Sequence, residues 1–285
     1  MTETKHTHPC QIAIVCPGGP ITRELAEKTA DIAAARFGDG VNLHFHEQCY
    51  ASAGHFAGAD AERSAAFLEA ANDPKYSAVW FGRGGYGACR LDDELFGKLN
   101  DHARRKTYFG YSDNGFLLAR LYKKKIGRQV HGPIPTDLNR EGGQDAIARS
   151  LSYLVHGDTS GMEPTVKTGK PCVAFNITVF AHLAGTSWAP DLTGHIVMLE
   201  DVGEYLYATD RAMFSIMDDR SIQNAAGIML GRLSDVPEND RPFGASEEEI
   251  VQYWCERAGV PYLGRADIGH DAQNKIVPFG AFVSA

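Results

Sequence analysis

Val79-Trp80-Phe81-Gly82-Arg83-Gly84-Gly85-Tyr86-Gly87 and Tyr108-Phe109-Gly110-Tyr111-Ser112-Asp113 share one form: a short apolar or aromatic run that stops abruptly in small residues and a polar side chain. Each reads as a buried strand running into a tight turn at its C-terminal end. In open α/β sheets that edge is where ligands bind. The second turn carries a serine, and the helical stretch Asn114 to Tyr122 follows at once. Strand, sharp turn with serine and helix make up a nucleophile elbow, which lifts the hydroxyl out of the sheet. The second glycine of G-x-S-x-G is missing, so a serine that only caps the helix is the competing reading.

Upstream, Gln11 to Cys16 is a continuous apolar run, as for a strand buried on both faces. Pro17-Gly18-Gly19-Pro20 breaks it, and Thr22 can cap a helix with Leu25, Ile32 and Ala33 on its apolar side. The turn lacks G-x-G-x-x-G and a lysine-serine ending, which argues against a phosphate cradle. Val41 to Phe45, Tyr76 to Phe81 and Thr107 to Tyr111 read as further strands, with a helix over Asp60 to Ala71. Alternation of this kind means a parallel sheet with covering helices. His131-Gly132-Pro133 ends another short run, where His131 reads as a turn residue, and a helix over Gln144 to Val155 closes the first unit. The stretch 156–170 is poor in large apolar residues and reads as a linker between domains 1–155 and 171–285.

The second unit has an apolar segment at Pro171 to Val179, a helical or turn-like Ala181 to Thr186, strands at His195 to Leu199 and Ala226 to Leu233, and helices at Asp210 to Met217 and Glu247 to Ala258. The last helix is expected to bury Ile250, Tyr253 and Trp254. Tyr262 to Gly269 leads to His270, and a last strand is expected at Pro278 to Val283.

The chain of 285 residues is 44% hydrophobic and 22% charged, an ordinary soluble composition, with a formal charge of -8. The acidic balance argues against nucleic acid as the partner. The one basic run, Lys123-Lys124-Lys125, closes a helix and complements its dipole. Six cysteines without a C-x-x-C pair read as reduced core residues rather than disulfides or zinc ligands. The first residues have no apolar signal core and no run has the length of a membrane span, so a cytoplasmic protein is expected.

A serine needs a base, and the base needs an orienting group. The second half offers both at strand ends: Glu200 or Glu204 after Ile196 to Leu199, and His270 after Ile268-Gly269. His131 and His182 are rival bases, and Glu204 can instead pair with Arg211. The Asp113 amide and the Gly84-Gly85 turn can supply oxyanion donors. Arg83 binds a substrate carboxylate or ties its loop down, and Tyr86 lines the pocket or packs in the core.

Taken together, Gly58-Ala59-Asp60-Ala61-Glu62-Arg63, Arg83-Gly84-Gly85-Tyr86-Gly87, Gly110-Tyr111-Ser112-Asp113, His131-Gly132-Pro133, Leu199-Glu200-Asp201-Val202-Gly203-Glu204 and Ile268-Gly269-His270 with Pro278-Phe279-Gly280 resemble the serine LD-carboxypeptidase family, which also holds the microcin C immunity peptidases. The resemblance runs from Ile12 to Phe282. It implies an α/β fold: a flavodoxin- or Rossmann-like N-terminal parallel-sheet domain and a smaller C-terminal α/β domain, with the site in the cleft. By position it makes Ser112 the nucleophile, Glu200 the orienting carboxylate, His270 the general base, and Gly84, Gly85 and Asp113 the oxyanion hole. Arg83, Tyr86, Asn176 and Glu204 become candidate substrate contacts. It implies no metal or cofactor, a homodimer, and a small peptide substrate of the murein tetrapeptide kind that loses its terminal D-Ala during cell-wall recycling. The alternatives are a peptidyl or aminoacyl nucleotide substrate, with Trp188 to stack on the base, and a non-catalytic ligand-binding module. Two departures stand out. Ala174-Phe175-Asn176-Ile177 occupies the place of Gly-Gly-Asn-Leu, which is expected to reshape the pocket, and Leu91-Asp92-Asp93 replaces a leucine pair.

Overall fold

The computed structural model describes residues 9–282. The first unit holds strands β1 (Cys10–Val15), β2 (Val41–Phe45), β3 (Ala78–Phe81), β4 (Thr107–Gly110) and β5 (Arg128–His131). Helices α1 (Arg23–Phe37), α2 (Asp60–Asn72), α3 (Gly115–Lys123) and α4 (Gly143–His156) connect or follow them. The second holds β6 (Cys172–Asn176), β7 (Ile196–Val202), β8 (Gly227–Ser234) and β9 (Tyr262–Arg265), with α5 (Ile177–Leu183), α6 (Leu206–Met217), α7 (Arg220–Gln223) and α8 (Glu247–Ala258). A two-residue strand, β10 (Val277–Pro278), comes last.

The first sheet has the order β10-β5-β4-β3-β1-β2 and is parallel except for β10, which runs antiparallel to β5. Without β10 this is the flavodoxin-like order, whose strand direction of travel reverses between β1 and β3. The second sheet, β6-β7-β8-β9, is parallel throughout. β3 is buried at every residue, which is why its sequence is an unbroken apolar run. Trp80 and Phe109 meet edge to face with centroids 6.4 Å apart, and the Trp80 indole donates to the Pro133 carbonyl at 3.1 Å. Helix α1 starts where expected: Thr22 Oγ1 accepts from the Leu25 amide at 3.1 Å. Helix α2 is opened by Glu62, whose carboxylate accepts from the Ala59 amide at 2.7 Å.

Several expectations change. The last strand is only Val277–Pro278, and Val283 lies outside the described residues. β10 joins the first sheet, so the C-terminal stretch is shared between the two units. Segment 156–170 is packed rather than loose: Met162, Glu163 and Val166 are buried, and Glu163 N and Ile276 O pair at 3.0 Å. Helix α8 buries Ile250, Val251 and Cys255, leaves Trp254 half-buried and exposes Tyr253, because a 3.6-residue period stacks 251 and 255 on one face and turns 253 to the opposite side. Cys16, Cys49, Cys172 and Cys255 are buried and unpaired. Among the described residues, no helix is long and apolar enough to cross a membrane.

Candidate active site

Ser112 sits where β4 ends, in a single turn (Ser112–Asn114) that leads into α3. Its φ is +61°, a left-handed conformation that a non-glycine residue rarely adopts. It does not cap α3, whose N-cap is Asn114. The strained backbone is held by its neighbours. Asn114 Nδ2 donates to the carbonyls of Arg83 at 3.2 Å and Tyr111 at 3.1 Å. Asp113 Oδ2 accepts from the Ala88 amide at 2.8 Å. The bonds to Arg83 and Ala88 tie the serine turn to the loop after β3, and the bond to Tyr111 braces the turn itself.

That loop has to approach closely. A Cβ on Gly84 would stand 3.0 Å from Ser112 Oγ and 3.4 Å from the Asp113 amide nitrogen. A Cβ on Gly18 would stand 2.3 Å from the Gly84 carbonyl, which accepts from the Gly19 amide at 3.1 Å. The Pro-Gly-Gly-Pro turn after β1 is therefore a packing surface for the Gly84 turn. In a trans peptide the Gly85 N–H points opposite to the Gly84 carbonyl, hence away from Gly19.

The other wall comes from the second sheet. Glu200 is fully buried in β7, and its Oε2 lies 2.5 Å from His270 Nδ1. The register between β7 and β8 shifts there: Leu199 faces Leu230, but Asp201 faces Leu233. The extra residue of β8 opposite Glu200 includes Gly231, where a Cβ would come within 2.8 Å of Glu200 Cβ and 2.7 Å of the Ile268 carbonyl. The bulge makes room for Glu200 and the His270 loop to meet.

Residues not singled out from the sequence fix that loop. Arg232 bridges both flanks of His270, with Nη1 to Asp267 at 2.6 Å and Nη2 to Asp271 at 3.0 Å. Asn274 Oδ1 accepts from the Gly269 amide at 3.3 Å and meets His131 Nε2 at 3.0 Å. Arg149 donates to the Ala272 carbonyl at 2.5 Å. Only the spacing of Arg232 two residues after a strand's apolar core, and of acids on both sides of Gly269-His270, hinted at this in the sequence.

Burial disfavours a charged His270 ring, but the Glu200 carboxylate outweighs it and holds the imidazole above its ordinary pKa. His270 Nε2 is buried with no hydrogen-bond partner among the described residues. The Tyr111 ring packs on the imidazole at 4.7 Å, and its hydroxyl donates to Asp137 Oδ1 at 2.6 Å. A cleft of about 430 Å³ is lined by Ser112, Gly84, Gly85, Arg83 and His270, and by Thr136, Asp137 and Arg140. A hydroxyl on a strained turn, an imidazole with a free nitrogen and a buried carboxylate behind it form a set that can deprotonate the serine and attack a carbonyl.

Other expected residues lie elsewhere. His131 is not a turn residue: it is buried in β5, and burial pushes its pKa down to about 4. His182 is on the exposed side of α5, against the Thr178 carbonyl at 2.6 Å. Glu204 is half-buried beyond the end of β7 and forms no ion pair with Arg211 among the described residues. Asn176 does not line the cleft; its Oδ1 caps α5 and its Nδ2 donates to Asp201 at 2.6 Å. Ala174 and Phe175 are buried strand residues, and Phe175 stacks on Phe180 with centroids 5.0 Å apart, so the altered segment fills the core rather than reshaping a pocket loop. Tyr86 is exposed beside Phe56 and His55. Trp188 is half-buried, packs edge to face on Phe96 and does not line this cleft. Arg83 does both things open to it: it donates to the Pro20 carbonyl at 2.8 Å and lines the cleft.

A two-domain fold with an elbow serine facing a histidine–glutamate pair across a cleft defines a class of hydrolase-like α/β proteins, and comparison narrows it. Residues 12–132 match the LD-carboxypeptidase N-terminal domain and residues 171–284 the LD-carboxypeptidase C-terminal domain. The chain belongs to the LD-carboxypeptidase family. The murein tetrapeptide carboxypeptidase of Pseudomonas aeruginosa is 27% identical over 95% of this chain and 91% of its own. The crystal structure of muramoyltetrapeptide carboxypeptidase from Oxalobacter formigenes superimposes with a TM-score of 0.76 at 25% identity, covering 94% of this chain and 93% of that one. The microcin C7 self-immunity protein MccF, in complex with aspartyl sulfamoyl adenosine, shares the fold with a TM-score of 0.74 at 16% identity, over 96% and 92% of the two chains.

Proposed function

We propose that this protein is a cytoplasmic serine carboxypeptidase that hydrolyses an L,D amide bond and releases D-Ala from a murein tetrapeptide. The observation that carries the reading is the Glu200–His270 contact at 2.5 Å, with the free imidazole nitrogen in the cleft that Ser112 lines. Ser112 Oγ attacks the carbonyl of the scissile amide while His270 Nε2 takes its proton. The imidazolium then protonates the leaving amine, and Glu200 holds the ring in one tautomer and stabilises its charged form. The Gly85 and Asp113 amides receive the oxyanion. Water, activated by the same imidazole, hydrolyses the acyl-enzyme. Likeness to proteins named for murein tetrapeptides supports this substrate class.

The test is mass spectrometry of L-Ala-γ-D-Glu-meso-diaminopimelate-D-Ala incubated with the protein and with Ser112→Ala. Loss of one alanine with the wild type alone is expected. Equal turnover by the folded variant would remove Ser112 from the mechanism, and an intact tetrapeptide with both would remove the substrate.

A further inference from the structure

We infer that Arg140 is the receptor for the free carboxylate of the residue that leaves, and so makes this site a carboxypeptidase rather than an endopeptidase; the inference rests on the reading above.

Two guanidinium groups reach the cleft, Arg83 and Arg140. Arg83 comes from the Gly84 turn and is tethered to Pro20 in the neighbouring turn after β1. Arg140 stands on the histidine side. Its Nε donates to Asp137 Oδ1 at 3.3 Å, its side chain is about one-third exposed, and its Nη atoms have no hydrogen-bond partner among the described residues. Asp137 is buried and already bound by the Tyr111 hydroxyl at 2.6 Å and the Ile134 amide at 2.9 Å. The carboxylate therefore acts as a fixed buttress that aims the rest of the guanidinium into the cleft. The same Tyr111 ring packs on His270, so Arg140, Asp137, Tyr111 and His270 form one continuous chain of contacts.

Stereochemistry decides between the two cations. His270 must hand its proton to the leaving amine. In a C-terminal residue, two bonds of about 1.5 Å each separate that nitrogen from the carboxylate carbon. The group that reads the carboxylate must then lie beside the base, not beside the oxyanion turn. Arg140 does: it is bonded to Asp137, which holds the hydroxyl of the same Tyr111 whose ring packs on His270, whereas Arg83 springs from the Gly84 turn itself. A planar guanidinium with two free nitrogens suits bidentate binding of a carboxylate.

The experiment is calorimetric binding to Ser112→Ala, which cannot turn over, of the tetrapeptide and of the same peptide with only its D-Ala carboxylate amidated. The acid is expected to bind roughly tenfold to a hundredfold more tightly, as for a hydrogen bond to a charged group. Adding Arg140→Gln, whose amide still reaches Asp137, should erase that preference and leave affinity for the amide unchanged. Adding Arg140→Lys should keep part of it. A preference that survives Arg140→Gln, an equal loss for both peptides, or no preference in the first place would overturn the inference. Because binding is read without turnover, an Arg140-dependent preference in a protein whose wild type leaves the tetrapeptide intact would sustain the carboxylate receptor while removing the hydrolytic reading.

Discussion

On the β4 side of the cleft, Ser112 is placed by backbone: a positive φ, a glycine turn near contact with its hydroxyl, and amides and carbonyls held by Asp113 and Asn114. On the β7 side, His270 is placed by side chains from distant parts of the chain: Glu200, Arg232, Asn274 and, through Asn274, His131. One wall stores strain to fix an atom. The other uses charge pairs to hold a loop. The two walls should accordingly fail in different ways when altered.

The serine wall gives the largest effect. Ser112→Gly should abolish turnover and at the same time raise stability by about 1 kcal/mol, because a non-glycine residue at positive φ costs on the order of 1–3 kcal/mol. Activity and the urea midpoint measured together check this. A variant that is both inactive and destabilised would mean the turn is not strained.

The histidine wall should respond through protonation. The base must be neutral to accept a proton, so activity rises with pH through the His270 pKa, which Glu200 holds above the ordinary value of 6.5. Glu200→Gln keeps the shape and removes the charge. The rate is expected to fall by about 10³–10⁴, as for loss of an orienting carboxylate, and the acid limb of kcat/KM should move to lower pH. An unmoved limb would show that Glu200 does not set the charge of the imidazole.

Arg232 sharpens the contrast further. Its ion pairs are about one-third exposed, so their contribution to stability is small, about 0–1 kcal/mol each. Their geometric role is larger. Arg232→Met should lower kcat by roughly tenfold to a hundredfold with KM nearly unchanged, and Arg232→Lys should recover part of it. A fall confined to KM would place Arg232 in binding instead.

The same contrast explains what the sequence disclosed. The serine wall is local: Phe81 to Gly85 and Gly110 to Asp113 each contain strand end, turn and functional atom within six residues, so period and turn chemistry find them. Apart from the family resemblance, Glu200 and His270 stand out only as polar residues at strand ends, among rivals such as Glu204 and His131. What separates them is three-dimensional: the β8 bulge at Gly231 and the clamp of Arg232 join segments 35 and 39 residues apart. No window of sequence contains that. The Ala174-Phe175 segment misled for a related reason. Glycines lost from a loop and apolar residues gained by a buried strand look alike until the neighbouring Phe180 is seen. The terminal strand β10 is too short for any periodicity to reveal its crossing to the first sheet.

The last effect is read in stability rather than in rate and concerns the cost of building the serine wall. Burial raises the Asp113 carboxyl from 3.8 to about 6, against the Ala88 amide and the Arg63 charge, which lower it. Between those two values the folded protein binds more protons than the unfolded chain, so stability falls as pH rises through that window and stays lowered above it. Asp113→Asn keeps an oxygen for the Ala88 amide and carries no charge to bury. It should be more stable than the wild type at pH 7 by about 3 kcal/mol, and the difference should vanish towards pH 4. Denaturant midpoints of both proteins across pH 4 to 8 measure this. A constant difference over that range would mean that Asp113 stays ionised at no cost. The Ala88 amide and its neighbours would then compensate the buried carboxylate in full, and the turn beneath Ser112 would carry no electrostatic cost.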